Sequence, residues 1–212
     1  MSRTFFLTLI SLTVLVIVSG CASTGTTVPA DTQETLIWSS AAERPNWTVD
    51  EPETVNGTMS FVGVSGKYST EKGAREDARR NASSAVTKYM GTLVKDKFEQ
   101  VKTSFGLESD VIDPTSATNE FQKQMSVNMA NKVKMSKWYI EKWRTPTGTA
   151  HIIYVLAKVP ESAVDESYKN TAKQMVKKAE RQAKEAGDAH AKDQAQKAAD
   201  FWKQMQERGV TE

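Results

Sequence analysis

The chain has 212 residues, of which 28 are basic and 26 acidic, and its formal net charge is +2 at pH 7. This balance excludes the clustered basic footprint that is typical of nucleic-acid-binding proteins, since even the pair Arg79-Arg80 follows Glu76 and Asp77. We therefore expect no nucleic-acid partner. The length predicts one domain, or one domain with extensions, and the composition favours the second.

The N-terminus has the plan of a secretory signal. One positive residue, Arg3, precedes an uncharged apolar run over residues 5–18, and small residues follow it. Because a transmembrane helix needs roughly 20 apolar residues, this run is too short to span a bilayer well. It favours a removed signal peptide over residues 1–20 rather than a retained anchor helix.

The motif Val18-Ser19-Gly20-Cys21 resembles the lipobox of bacterial lipoprotein precursors. The resemblance implies that the signal is cut before Cys21, and that both the sulfur and the new amino group are acylated. Several acyl chains anchor firmly, since each buried CH₂ contributes about 0.8 kcal/mol. Cys21 is the only cysteine, so a disulfide would need a partner chain. Ala22 and Ser23 lack the aspartate that resembles an inner-membrane retention signal, which favours the outer membrane.

Residues 21–35 are small and polar without periodicity, which predicts a lipidated flexible tether. Such a tether would span on the order of 20 Å as a coil. Aromatic residues return with Trp38 and Trp47, and they predict that this segment is pinned onto a domain covering residues 36–160.

The domain opens with a β-branched segment, residues 59–65, that predicts a strand. Thr70 is then placed to cap a helix whose first half is rich in alanine, which lets a helix approach a sheet closely. Gly91 predicts a bend in this helix, and Gly106 predicts its end. Asp113-Pro114 predicts the start of a second helix. The methionines of the second helix favour core packing, with a ligand groove as the alternative.

Residues 137–159 predict a β-hairpin around a turn over residues 145–148. Its second strand is apolar on both faces and therefore central, while its first strand mixes polar and aromatic residues as an edge strand does. We expect the strand of Phe61 beside the strand of Ile153, with the helices on one face. If nothing in the monomer covers the other face, that face marks a partner or self-association site.

Residues 161–212 contain no proline and one internal glycine before residue 200, which predicts a long polar helix. Its apolar stripe changes phase at Gly187-Asp188, which predicts a kink. The helix could pack on its own domain, pair with a copy or a partner, or fray. The predicted fold is α+β. Its elements follow one another along the chain as strand-helix-helix-strand-strand, the strands form a small antiparallel-rich sheet, and the long C-terminal helix is added to it. The candidate partner surface comprises Trp138, Tyr139, Trp143, Phe201 and Trp202.

A second resemblance rests on Pro45-Asn46-Trp47, on Phe61-Val62-Gly63-Val64-Ser65, and on the alanines of the first helix. These residues resemble the LPP-twenty family of outer-membrane lipoproteins over residues 44–160. The resemblance implies a compact strand-helix-strand-strand module on a lipid anchor, as in surface antigens and in proteins that build envelope structures such as flagellar rings. The resemblance implies no catalytic residues. The long C-terminal segment of this chain is not part of the family pattern.

No motif in the sequence predicts a catalytic or metal site. The segment Gly63-x-x-Gly66-Lys67 lies where a phosphate-binding loop would, but Phe61 replaces the first glycine and Tyr68 the serine or threonine that holds magnesium. His151 and His190 share no zinc-ligand spacing. We therefore expect no enzyme activity, no metal and no cofactor beyond the covalent lipid on Cys21.

The function predicted from the sequence is a non-catalytic lipid-anchored module for binding or assembly at the outer membrane. Its partners would be the membrane, through the N-terminal lipid, and a protein or a second copy. One alternative is a regulator of an envelope enzyme. Another is an envelope hydrolase with a dispersed site, which a deep pocket and a perturbed carboxylate would favour.

Overall fold

The computed structural model describes residues 33–51 and 53–210. Helices α1 to α4 and strands β1 to β5 within these residues form an α+β fold, which confirms the predicted class. In chain order they are β1 (Thr35–Ser39), a 3-10 turn (Asn46–Thr48), β2 (Glu53–Val55), β3 (Thr58–Val64), α1 (Glu71–Phe105), α2 (Pro114–Met129), β4 (Lys134–Thr145), β5 (Gly148–Pro160), α3 (Glu161–Glu185) and α4 (Ala189–Arg208).

The described strands form one antiparallel sheet in the order β1-β4-β5-β3-β2. The predicted position of β3 on the free side of β5 is confirmed, and so is the central place of β5. The prediction that β4 is an edge strand is wrong, because β1 pairs along it, with Thr35 opposite Arg144 and Ser39 opposite Glu141. The polar residues of β4 therefore reflect partners from the N-terminal segment rather than solvent at an edge.

Helix α1 covers β3 and β5 on one face of the sheet. Thr70 caps it by accepting a hydrogen bond from the Gly73 N–H at 3.2 Å, and Gly106 ends it at φ 70°, as predicted. Its alanines touch the sheet directly: a Cβ on Gly63 would lie 2.2 Å from the Ala78 carbonyl oxygen. The alanine half of α1 and the glycine of β3 thus allow one close contact.

Gly91 lies where α1 packs against α2. Helix α1 continues through it without a break, and a Cβ there would lie 2.4 Å from the Gln122 side-chain nitrogen of α2. The glycine therefore permits the close packing of α2. Asp113 caps α2 as predicted, and Phe121, Met125 and Met129 are buried in the core, so the core interpretation of the methionines is confirmed.

The C-terminal segment forms two helices where one long helix was predicted, and the break lies at the predicted position. Asp188 caps α4 by accepting from the Ala191 N–H at 2.8 Å, and α4 folds back along α3. The apolar stripes of α3 and α4 are out of phase along the sequence. The break between the two helices lets both stripes face the hydrophobic core. Residues 161–210 are thus part of the same hydrophobic core as the sheet rather than a separate extension.

Candidate partner-binding surface

Three residues of the predicted partner surface are buried. Phe201 and Trp202 are 0% and 3% exposed, and they join Phe98, Phe121 and Tyr168 in an aromatic cluster. This corrects their predicted role: α4 needed an apolar surface to pack on, and its own domain supplies it. Tyr139 is 3% exposed and packs on Tyr154, with ring centroids 5.9 Å apart, so it is not available to a partner either.

Trp138 is half-buried on the helix side of β4, where it lies opposite Val155. The guanidinium of Arg75 lies 5.0 Å from its ring centroid, and that of Arg79 lies 6.0 Å away. Cations over an indole ring are attracted by its negative face. The face of Trp138 is therefore shared by two arginines of α1, which leaves a cationic surface above it.

The second face of the sheet, which we call the open face, carries no α-helix among the described residues. Its side chains alternate with the core residues of the same strands and comprise Ser60, Val62, Val64, Lys137, Tyr139, Glu141, Trp143, Ile152, Tyr154, Leu156 and Lys158. Residues 40–51, which we call the covering segment, contact part of this face. The face that seemed uncovered from the sequence is thus partly covered by the chain itself.

The covering segment is fixed by a buried carboxylate. Glu141 is 1% exposed, and its Oε1 accepts from Nε and Nη2 of Arg44 at 2.9 and 2.7 Å. Its Oε2 accepts from the Trp143 ring N–H at 3.1 Å. A buried charge is tolerated only when it is paired and hydrogen-bonded. Trp143 therefore has a positioning role here, and its ring nitrogen is engaged within the chain.

A groove of about 240 Å³ separates the covering segment from the sheet. Trp47 forms its wall, and Val62 and Leu156 lie on its floor. Its remaining lining residues are the apolar Val55, the small Ser60 and five charged residues, Asp50, Glu51, Glu53, Lys137 and Lys158. Ligand pockets for small molecules usually measure about 300–1,000 Å³. The groove is therefore sized for one or two side chains of a partner.

Strand β1 is the most apolar exposed element of the described chain. Leu36, Ile37 and Trp38 are 42%, 41% and 52% exposed, and we call these three residues the β1 edge surface. No described strand pairs with the outer side of β1. Edge strands are usually protected by charge, proline or shortness, but residues 35–39 contain neither charge nor proline. The sequence predicts an anchoring role for Trp38, but it does not predict β1, the strand that contains this residue.

The sequence pattern after β3 predicts a tight turn at Gly66-Lys67, and this is wrong: Ser65 and Tyr68 continue along β5 through backbone hydrogen bonds with Ile153 and His151. The Gly66 N–H donates to Asp77 Oδ2 at 2.9 Å, and Lys67 pairs with Glu34. The backbone donor and the lysine that would bind a phosphate are both engaged by carboxylates. No group of three or more His, Cys, Asp and Glu in the described ranges could hold a metal ion.

Several carboxylates have a pKa shifted downward. The Gly66 N–H, followed by Arg80, lowers the pKa of Asp77, and the Ser116 N–H lowers that of Asp113. The pKa of Asp165 is also lowered: burial opposes the shift, but Lys169 and the Val210 N–H outweigh it. A general acid needs the opposite shift. These carboxylates serve as caps and ion-pair partners.

No family model, curated protein or solved structure matches this chain. The resemblance to the LPP-twenty family stays a prediction from the sequence. None of the helices among the described residues is long and apolar enough to cross a membrane. Cys21 and the predicted signal peptide lie outside the described residues.

Proposed function

We propose that this protein is a non-catalytic lipoprotein of the outer membrane that is acylated on Cys21 and binds a protein partner on the open face of its sheet. The observation that carries this proposal is the groove beside Trp47. It combines an apolar floor with lysines on the sheet and carboxylates on the covering segment.

The size of the groove favours protein binding over catalysis. Hot spots in protein interfaces are single large side chains that enter well-packed pockets surrounded by a polar rim. A groove of about 240 Å³ fits such a side chain. Lys137 and Lys158 line the groove together with Asp50, Glu51 and Glu53, so the rim offers both signs of charge to a partner. Complementary charges of this kind fix the orientation of a complex.

The partner could be a structural protein or an envelope enzyme that this protein regulates. The two possibilities use the same surface, and they differ only in the identity of the partner. The ion pair of Arg44 with the buried Glu141 supports either one, because it fixes the covering segment and so forms the groove before a partner arrives. Such preorganisation lowers the entropy cost of binding.

Photo-crosslinking in the intact envelope tests the proposal. A photoreactive residue at Val55, which lines the groove and is 52% exposed, should give a discrete crosslinked species. The control is the same residue at Val127 of α2, which is 70% exposed and remote from the groove. The substitution Lys158→Glu, on an exposed lining residue, should reduce the Val55 product because it reverses a charge on the rim.

Two results would contradict the proposal. One is an equal pattern of crosslinks from positions 55 and 127. The other is a product from position 55 that Lys158→Glu and Trp47→Ala leave unchanged, since a specific complex must depend on the lining of the groove.

A further inference from the structure

We propose that the β1 edge surface lies against the membrane, where it contacts an anionic phospholipid surface. This inference rests on the proposed acylation of Cys21. It assigns to Leu36, Ile37 and Trp38 a partner different from the protein that the groove would bind.

The exposure of these residues is the first argument. Three consecutive large apolar side chains are each about half exposed on the outermost strand of the described sheet. A β-bulge falls between Leu36 and Trp38 and alters the alternation of side chains there. Leu36 lies opposite Trp143 and Trp38 opposite Lys142, so both faces of the strand carry apolar surface. An exposed apolar cluster of this kind usually marks an interaction site.

The path of the chain is the second argument. β1 begins at Thr35, only 14 residues after Cys21 in the sequence. A chain of this length cannot exceed about 50 Å even when it is fully extended. Once Cys21 carries lipid, β1 is the described element nearest to the bilayer along the chain. The bilayer is thus present at high effective concentration beside the exposed strand.

Charge is the third argument. Lys142 and Arg144 lie on β4 directly opposite Trp38 and Thr35. Two acids beside this surface are engaged: Glu34, which immediately precedes β1, pairs with Lys67, and Glu141, opposite Ser39, pairs with Arg44 at 2.7 Å. Tryptophan with flanking lysine and arginine is the composition of membrane–water interfaces. Basic residues gain further stabilisation from anionic headgroups.

A second copy of the chain is the competing occupant. Two β1 strands could pair at their free edges, as exposed edges do. However, a stable interface buries about 800 Å² on each partner, and three half-exposed side chains on a five-residue strand fall well short of that area. A bilayer needs no such area, because the acyl chains supply the remaining affinity.

The test uses the full-length lipidated protein with a single fluorophore. Thr35→Cys adds a thiol beside the proposed contact, and Val127→Cys adds one on α2 as the control. Since Cys21 is the only natural cysteine, an acylated Cys21 directs the dye to the new site. The protein is placed in vesicles of phosphatidylethanolamine and phosphatidylglycerol, with or without brominated acyl chains as quenchers.

We expect brominated chains to cause a loss of emission from the dye at position 35 and none at position 127. The double substitution Leu36→Ser and Trp38→Ser should abolish the loss at position 35. These side chains are exposed, so their replacement leaves the core intact. The loss should also shrink in phosphatidylcholine vesicles, where the anionic headgroups are absent.

Equal quenching at the two positions, or quenching at position 35 that survives the double substitution, would overturn the docking. Self-quenching at position 35 that rises with protein density, without an effect of bromine, would assign the surface to a second copy instead. A dye that also reacts with Cys21 would refute the proposed acylation. Each variant would then carry a second dye, so the bromine comparison would be repeated with Cys21→Ser in both, where the added thiol is the only one in the sequence.

Discussion

At the scale of single residues, Gly63 fixes the distance between helix and sheet. A side chain there would collide with backbone, since its Cβ would lie 2.2 Å from the Ala78 oxygen and 2.4 Å from the Ala82 nitrogen. Backbone atoms cannot turn aside as a flexible side chain can. The close contact of α1 and β3 therefore depends on the absence of a side chain at this position.

We expect Gly63→Ala to lower the free energy of unfolding by about 3 kcal/mol, because α1 must move away from the sheet. Equilibrium unfolding in urea measures the change. Gly187→Ala is the matched control, since a Cβ there meets nothing within 4 Å. Equal midpoints for the two variants would show that the contact is less tight than described.

Local contacts could be predicted from the sequence, and distant ones could not. Thr70 and Asp113 each bond a backbone N–H three residues ahead, so a short motif contains the whole interaction. Glu141, in contrast, binds Arg44, which lies 97 residues away in the chain. Nothing in the pattern of β4 distinguishes a buried paired carboxylate from an exposed one. The polar centre of the open face was therefore missed.

At the scale of elements, α4 is the clearest difference from the predicted arrangement. Its periodicity identified the apolar stripe correctly, but a stripe can pack equally on its own domain or on a partner. The choice depends on tertiary fit. Here the ring of Phe201 lies 5.0 Å from that of Phe98 and 5.9 Å from that of Phe105, so α1 supplies the surface.

Phe201→Ala should cost roughly 3–5 kcal/mol, as the removal of a fully buried aromatic ring does. The free energy of unfolding of the full-length chain, followed by far-ultraviolet circular dichroism, gives the value. Val127→Ala, on a side chain that is 70% exposed, should change it by less than about 0.5 kcal/mol. If the two variants are equally stable, α4 is an arm for a partner rather than part of the core.

Strands β1 and β2 escaped prediction for a related reason. They have 5 and 3 residues, which is too short for an alternating pattern to be recognised. Each is held by pairing with a longer strand that the sequence did reveal, β4 for the first and β3 for the second. Strand pairing over long sequence separations is set by the whole fold, so the central strands were predictable and the edges were not.

At the scale of the whole molecule, the proposed lipid on Cys21 would decide where every other surface acts. We expect Cys21→Ala to abolish incorporation of labelled palmitate and to release the protein from the membrane fraction, because in the proposed lipoprotein this single residue carries the acyl chains. Ser23→Ala, which also removes one small polar group near the cleavage site, should leave labelling intact. Persistent labelling of the Cys21→Ala variant would show that the lipobox interpretation is wrong.

The attachment of the covering segment has a mechanical consequence. With Cys21 acylated as proposed, a force on the acyl chains would load the Glu34-Lys67 ion pair first and then the β1–β4 pairs one after another from Thr35. Beyond them, Ser40 is held to Ile140 by two hydrogen bonds, of 2.9 and 3.0 Å. The Arg44-Glu141 ion pair follows, with its carboxylate buried in the sheet. These contacts lie behind the strand that is loaded first. They would therefore resist a force from the membrane before it reaches the hydrophobic core.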